Sequence, residues 1–83
     1  MSKFISKEDV FEVIAKSLGV SLKKINEKVS SNNLSEWDSM SHLSILIQLD
    51  KKLSGKVQKI QELSEAYSVK KIIQILNKKK LLK

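Results

Sequence analysis

Apolar residues recur at helical spacing in the first part of the chain. Ser6 can act as an N-cap, and Asp9, three residues later, approximates a capping box. Gly19 suits the left-handed stop that ends many helices. A first helix is therefore predicted over about residues 6–18. Its apolar face carries Val10, Phe11, Val13, Ile14 and Leu18.

A long connection separates this helix from the next. Residues 20–37 show no sustained period, and the Ser-Ser-Asn-Asn run at 30–33 is typical of a loop. We expect the scattered apolar residues of the connection, Trp37 among them, to pin it onto the core, and Ser21 to start a short helical turn. Loops of this length in small domains tend to be functional.

A second helix is predicted over about residues 39–53, between an N-cap at Asp38 and a glycine stop at Gly55. Its apolar residues cover a wide surface, which predicts a helix enclosed on most sides, with its N-terminus left open. One face carries Met40, Leu43, Leu46, Ile47 and Leu53, and Ile45 and Leu49 widen it.

The rest of the chain predicts two further helices. Residues 62–67 can form a short third helix after a connection anchored by Val57 and Ile60, and Ser68 can cap a last helix. That helix carries Val69, Ile72, Ile73 and Leu76. The absence of proline and the presence of two glycines leave little opportunity for strands and turns. We predict an all-α domain over residues 1–83, a small four-helix bundle with three longer helices, one short third helix and a long loop between helices one and two.

The net charge of +7 is concentrated near the C-terminus. Six lysines follow Glu65, which is the last acidic residue, and about residues 78–83 form a Lys-rich end. Lysines near a helix C-terminus complement the helix dipole, which favours a solvated helix end. The competing interpretation is a small basic helical protein that binds nucleic acid or anionic surfaces. The absence of arginine, the few aromatic residues and the near-neutral charge before residue 70 argue against nucleic acid.

Composition narrows the chemistry further. The chain has no cysteine, which excludes a disulfide framework and a thiolate metal site, and we predict no metal site. No apolar run approaches the ~20 residues that a membrane span needs. Residues 1–6 turn polar too soon for a signal peptide. A cytoplasmic monomer is therefore the expectation.

The most informative tripeptide is Asp38-Ser39-Met40. With Asp38 as N-cap, Ser39 lies exposed in the first helical turn, beside free backbone N–H groups at the positive end of the helix dipole. Such a position tolerates a phosphate esterified to the serine oxygen. Segment 36–43 resembles the phosphopantetheine attachment site of acyl carrier proteins. The order of elements from about residue 6 to residue 77 is similar to their fold.

The resemblance implies that Ser39 receives 4'-phosphopantetheine from coenzyme A, in a magnesium-dependent reaction run by a separate phosphopantetheinyl transferase. The terminal thiol of this arm then holds acyl groups as thioesters, so the protein is a carrier and not an enzyme. The resemblance also implies three residues that partners recognise. Asp38 offers a carboxylate to a basic transferase surface, Met40 touches partners or closes the hydrophobic cleft, and Asp50 keeps one acidic docking position.

The second helix departs from the acidic docking surface that is typical of fatty-acid carriers. Ser44 and Lys51 stand at two of the three docking positions. Because electrostatic complementarity sets partner choice, we infer a dedicated carrier served by the loading and processing enzymes of one specialised pathway, for polyketides, nonribosomal peptides, surface polysaccharides or modified lipids. Alternatives are a D-alanyl or aminoacyl carrier, or a carrier-like bundle that acts as an unmodified scaffold.

Trp37 and His42 flank the predicted attachment site. Trp37 is either an anchor that fills the mouth of the bundle or an exposed docking aromatic, and the need to pin a long loop favours the anchor. His42 is expected to border the exit of the prosthetic arm or to be a solvated surface residue. A triad of Ser39, His42 and Asp38 is disfavoured, because side chains on one helical turn do not place a base between nucleophile and acid.

Overall fold

The chain folds into three α-helices that surround one apolar core. A computed structural model describes residues 4–83. Residues 1–3 lie outside the described residues, although the predicted domain and the segment considered as a signal peptide both include them. The α-helices are α1 (Lys7–Leu18), α2 (Ser39–Lys52) and α3 (Val69–Lys78). Short 3₁₀ helices cover Leu22–Lys24, Val57–Lys59 and Gln61–Glu65.

The all-α class predicted from the sequence is confirmed for residues 4–83, where the only extended pairings are two isolated bridges. The four-helix bundle is not confirmed. The segment predicted as a short third α-helix at 62–67 is instead a 3₁₀ helix over Gln61–Glu65. Five residues are too few to sustain α-helical hydrogen bonding without a cap, and this segment has no side-chain cap. No helix in the described part of the chain is long and apolar enough to cross a bilayer.

Local capping chemistry sets the ends of α1 as predicted. The Asp9 amide donates to Ser6 Oγ at 3.1 Å, and the Ser6 amide donates to Asp9 Oδ2 at 3.1 Å, which completes the capping box. The bond from the Ser6 amide lowers the pKa of the Asp9 carboxyl. Gly19 ends the helix with φ +70°, the left-handed conformation that glycine adopts without strain.

The connection between α1 and α2 is pinned to the core, as the sequence predicted. Ile25, Val29 and Trp37 are buried, although Leu22 remains exposed. Backbone bonds also tie the loop to the start of α3: the Val69 amide donates to the Val29 carbonyl at 3.0 Å. Ser68 caps α3 by accepting a bond from the Lys71 amide at 3.1 Å. The loop and the last helix therefore form one unit.

The Lys-rich C-terminal end is more than a solvated helix end. Residues 78–80 are exposed, but Leu81 is buried in the core. The Ile5 amide donates to the Leu81 carbonyl at 2.8 Å, and the Lys83 amide donates to the Ile5 carbonyl at 2.8 Å. These bonds join the end of the chain to the residues before α1.

The buried face of α2 differs from the predicted apolar face. Its core side is formed by His42, Ile45, Leu49 and Leu53. Met40, Leu43 and Ile47 face solvent, so α2 is not enclosed on most sides. The prediction was wrong because it assigned a polar histidine to the surface. Since the His42 ring finds hydrogen-bond partners inside the protein, the helix buries the stripe that contains it.

Candidate functional site

Ser39 is the first residue of α2, and its side chain is exposed. The preceding residue, Asp38, has an extended backbone and accepts a bond from the Ser41 amide on Oδ1 at 2.9 Å. That bond holds the pKa of the Asp38 carboxyl below its usual value. None of the residues in 4–83 forms a hydrogen bond with the Ser39 hydroxyl. The structure therefore presents a free hydroxyl at a capped helix N-terminus.

Trp37 fixes the chain just before this helix start. Its side chain is only 3% exposed and belongs to the core, so the anchor interpretation is confirmed and the exposed docking aromatic is wrong. The Trp37 amide also donates to the Leu34 carbonyl at 3.0 Å, which closes a turn. Because Asp38 follows directly, the cap and Ser39 start from a fixed point.

The His42 ring is buried, at 2% exposure, and both of its nitrogens are engaged. The Trp37 indole N–H donates to Nδ1 at 3.0 Å, and Nε2 lies 2.8 Å from the Leu63 carbonyl oxygen. An indole N–H can only donate and a carbonyl can only accept. The ring proton therefore sits on Nε2, and the imidazole is neutral. Burial lowers the pKa of His42, against a smaller opposite effect of the Leu63 carbonyl.

His42 also stacks on the ring of Tyr67, while the Trp37 ring lies at its edge. Its centroid lies 4.0 Å from that of Tyr67, with 18° between the planes, and 6.0 Å from that of Trp37. The solvated-surface interpretation of His42 is therefore wrong. With both nitrogens bonded elsewhere, the ring is not arranged to take a proton from Ser39, so no triad is formed with Asp38. A lone histidine close to a tryptophan in the sequence was the only signal of this buried pair.

An open apolar groove of about 700 Å³ runs beside α2. One wall is formed by side chains of α2 between residues 43 and 51, and the other comes from the 3₁₀ helices that follow it. Its apolar lining includes Leu43, Leu46, Ile47, Val57, Ile60 and Leu63. Leu43 lies one helical turn after Ser39, so the groove opens close to the exposed hydroxyl.

Met40 does not close this groove. Its side chain is 83% exposed and does not line the groove, so the predicted cleft-closing role is wrong. Leu43 and Ile47 continue the same exposed stripe at the helical spacing of three and four residues. Contact of Met40 with a partner stays a prediction.

Asp50 is engaged within the protein. Its Oδ1 accepts bonds from the Val57 amide at 3.1 Å and the Gln58 amide at 3.3 Å, and Oδ2 accepts one from Gln58 Nε2 at 3.0 Å. The carboxylate thus caps the 3₁₀ helix Val57–Lys59 from another element. It lies about 16 Å along the axis of α2 from Ser39. Recognition of Asp50 by partners stays a prediction, and its structural role was missed because the bonded residues lie seven and eight positions away.

The charges near the groove are mixed. Lys51 and Glu65 lie on its lining, and neither is in an ion pair with any residue in 4–83. Glu62 pairs with Lys78 and Lys79 at 3.5 Å, and these lysines lower the pKa of its carboxyl. Two lysines of the basic C-terminal end therefore have an acidic partner within the chain. The described residues contain no cluster of histidine and carboxylate side chains able to hold a metal ion.

No family model, no curated protein and no solved structure matches the chain. The function is therefore inferred from the geometry around Ser39 and from the sequence that produces it.

Proposed function

We propose that this protein is an acyl carrier protein, with 4'-phosphopantetheine joined through its phosphate to the Ser39 oxygen. The observation that carries the proposal is the free, exposed hydroxyl of Ser39 at the first position of a capped α-helix. A transferase needs a serine that it can approach from solvent and that is not held by a competing hydrogen bond. Ser39 meets both requirements.

The helix start also suits the negative charge of the attached phosphate. Free amides of the first turn and the positive end of the α2 dipole stabilise anions at this position. Asp38 is held by the Ser41 amide, so its carboxylate is committed to capping. A phosphodiester on Ser39 is therefore compatible with the helix that carries it.

The apolar groove supports the second part of the proposal, carriage of an acyl group. It begins one helical turn from Ser39 on the same helix, and most of its lining surface is apolar. A flexible arm attached at Ser39 can place an acyl chain there or hand it to a partner enzyme. The exposed stripe of Met40, Leu43 and Ile47 gives partners an apolar surface next to the arm.

We further propose the four-helix arrangement of acyl carriers, with the 3₁₀ helix Gln61–Glu65 in the place of the short third helix. In this proposal the protein is a cytoplasmic monomer without catalytic activity of its own. It serves the loading and processing enzymes of one specialised pathway, because α2 has the single acidic side chain Asp50 and that carboxylate is already bonded within the chain.

Intact-mass measurement tests the proposal directly. The protein is incubated with coenzyme A, magnesium and a broad-specificity phosphopantetheinyl transferase, and the expected result is a mass increase of one phosphopantetheine. Ser39→Ala is expected to abolish the increase. Ser41→Ala, which removes a hydroxyl from the same helical turn and keeps the backbone amide that bonds Asp38, is expected to leave it intact.

Three outcomes count against the proposal. One is the absence of any mass increase with several transferases, and another is an increase that survives in Ser39→Ala. The third is an unmodified protein that binds DNA or RNA with a strong dependence on salt, which would favour the basic nucleic-acid-binding alternative.

A further inference from the structure

His42 is the only polar or charged side chain that is buried among the described residues. A buried polar group costs free energy unless its hydrogen bonds are satisfied, and both ring nitrogens of His42 are satisfied. An aliphatic residue at this position would fill the core without this requirement, as Ile45 and Leu49 do one and two turns later. The histidine therefore provides something other than apolar packing.

The His42 ring joins three separate segments of the chain. It belongs to α2, it accepts the indole N–H of Trp37 from the preceding loop, and it donates to the Leu63 carbonyl of the 3₁₀ helix Gln61–Glu65. Trp37 is two residues before Ser39, and Leu63 lines the groove. One side chain thus fixes both the approach to the attachment site and a wall of the groove.

We propose that His42 is a positioning residue for Ser39: its neutral ring accepts the indole N–H of Trp37, holds the helix start in the form that a transferase modifies, and releases Trp37 when it is protonated. The part that concerns modification rests on the proposed function of Ser39. The part that concerns Trp37 stands on the hydrogen bonds alone.

Protonation opposes this arrangement for a geometric reason. A second ring proton on Nδ1 would face the indole N–H of Trp37 across a distance of 3.0 Å, and neither group could accept. The bond to the Leu63 carbonyl would persist, because Nε2 already donates it. Protonation therefore breaks the contact with the loop and keeps the contact with the 3₁₀ helix.

The surroundings of the ring offer no charge that would stabilise the protonated form. Tyr67, stacked on the ring, is the titratable group in direct contact with it. The charged groups on the neighbouring segments are exposed: Glu36 is bonded to the Ser35 hydroxyl, Asp38 is bonded to the Ser41 amide, Glu62 is paired with two lysines, and Glu65 faces the groove. Burial accordingly keeps the pKa of His42 below its ordinary value of 6.5.

Two matched variants separate the two bonds of the ring. His42→Asn places an amide oxygen near the position of Nδ1, so it can accept the indole N–H but does not reach Leu63. His42→Gln places its amide near the position of Nε2, so it can reach Leu63 but loses Trp37. Both variants are polar, uncharged and unable to titrate, and both remove the stacked ring.

The experiment measures the exchange rate of the Trp37 indole proton by NMR, and the initial rate of Ser39 modification, from about pH 8 to about pH 5. In the wild type, we expect indole exchange to accelerate beyond its ordinary pH dependence as His42 gains its proton, while backbone amides of α1 and α3 stay protected. Rates of modification are divided by those of His42→Asn at each pH, which cancels the pH dependence of the transferase itself.

The proposal predicts that His42→Asn keeps the indole proton protected and is modified at nearly the wild-type rate near neutral pH. His42→Gln is expected to expose the indole proton and to be modified on the order of tenfold more slowly, because a displaced reacting group loses rate steeply. Equal behaviour of the two variants would overturn the positioning role and leave His42 as a core residue. An indole proton that stays protected throughout the wild-type titration would overturn the release. If the wild type is never modified, the proposed function fails, but the indole measurement still decides whether His42 holds Trp37.

Discussion

Helices α2 and α3 divide their side chains between core and solvent in different ways. Every fully buried residue of α3 is aliphatic, and its exposed residues are polar or charged. In α2, the buried residue nearest the helix start is His42, while Met40, Leu43 and Ile47 face solvent. Burial of aliphatic side chains accounts for the pattern of α3. In α2, by contrast, three apolar side chains stay exposed toward the end that carries Ser39.

The exposed apolar side chains of α2 have a cost in stability. Full burial of a side chain such as leucine or isoleucine contributes about 1.5–3 kcal/mol, and the exposed stripe of α2 forgoes part of that at three positions. The stripe lines or adjoins the groove beside Ser39. In the proposed carrier, these positions are the ones that an acyl chain or a partner enzyme would contact.

The largest predicted effect on the free energy of unfolding compares the buried side of α2 with its exposed side. Leu49→Ala removes a fully buried side chain and leaves a cavity, so it is expected to lower the free energy of unfolding by about 2–5 kcal/mol. Leu43→Ala changes a side chain that is 58% exposed, and we expect a loss of no more than about 1 kcal/mol. Urea unfolding followed by circular dichroism gives both values.

Ile45→Val is the milder control on the buried side, with an expected loss of about 1 kcal/mol. It keeps the comparison measurable if Leu49→Ala is unfolded without urea. Similar losses for Leu43→Ala and Leu49→Ala would show that α2 is not oriented as described.

Asp50→Ala is predicted to have the next largest effect. Asp50 is a polar residue of α2 whose carboxylate accepts three bonds from Val57 and Gln58. Their loss in a partly solvated setting is expected to cost about 1–2 kcal/mol of unfolding free energy. Gln74→Ala, at an exposed position of α3, is the matched control and is expected to change stability by less than about 0.5 kcal/mol.

The same unfolding measurement decides whether Asp50 serves the fold. A stable Asp50→Ala protein would mean that the 3₁₀ helix Val57–Lys59 does not depend on this cap. A destabilised protein whose Ser39 is still modified at the wild-type rate would separate the structural role of Asp50 from recognition by the transferase.

The pH dependence of stability also distinguishes the two helices, because α2 buries a titratable group and α3 does not. The pKa of His42 is lowered in the folded state, so the unfolded chain binds a proton near pH 6.5 while the folded protein does not. The contribution of the neutral ring is fully present above about pH 6.5 and is lost as the pH falls toward the folded pKa. The slope is limited to about 1.4 kcal/mol per pH unit for one proton.

Melting temperatures measured between about pH 7.5 and about pH 5 test this prediction, with His42→Asn as the control that lacks the titrating group. The carboxyl groups with lowered pKa values, Asp9, Asp38 and Glu62, have ordinary values of 3.8 to 4.5 and affect stability below this range. An equal slope in the wild type and in His42→Asn would assign the pH dependence to another group.

Sequence was most informative where structure depends on neighbouring residues. The capping box of Ser6 and Asp9, the stop at Gly19 and the cap at Ser68 were all predicted, because each involves residues at most four positions apart. The exposed place of Ser39 followed from the same local chemistry, since Asp38 is a strong N-cap. These features need no knowledge of the tertiary fold.

The orientation of α2 and the 3₁₀ form of the third segment could not be predicted in this way. Burial of the His42 ring depends on its hydrogen bond to the carbonyl of Leu63, which lies 21 residues away in the sequence. Asp50 likewise caps a segment that begins only after the turn at Gly55. Tertiary contacts decide which polar side chains find hydrogen-bond partners in the core. A prediction from polarity alone therefore placed His42 toward solvent and Met40 on an apolar face.

The smallest predicted effect on stability concerns Met40, and it separates packing from recognition. Met40→Gln replaces a side chain that is 83% exposed, so we expect the free energy of unfolding to change by less than about 0.5 kcal/mol. If partners contact this residue, the rate of Ser39 modification is expected to fall several-fold, because a buried apolar contact with the transferase is lost. Lys71→Gln, on the exposed side of α3, removes a long side chain away from Ser39 and serves as the control. A Met40→Gln protein that is as stable as the wild type and is modified as fast would show that this transferase does not contact the Met40 side chain. A large loss of stability would instead contradict the exposed position, and with it the difference between α2 and α3.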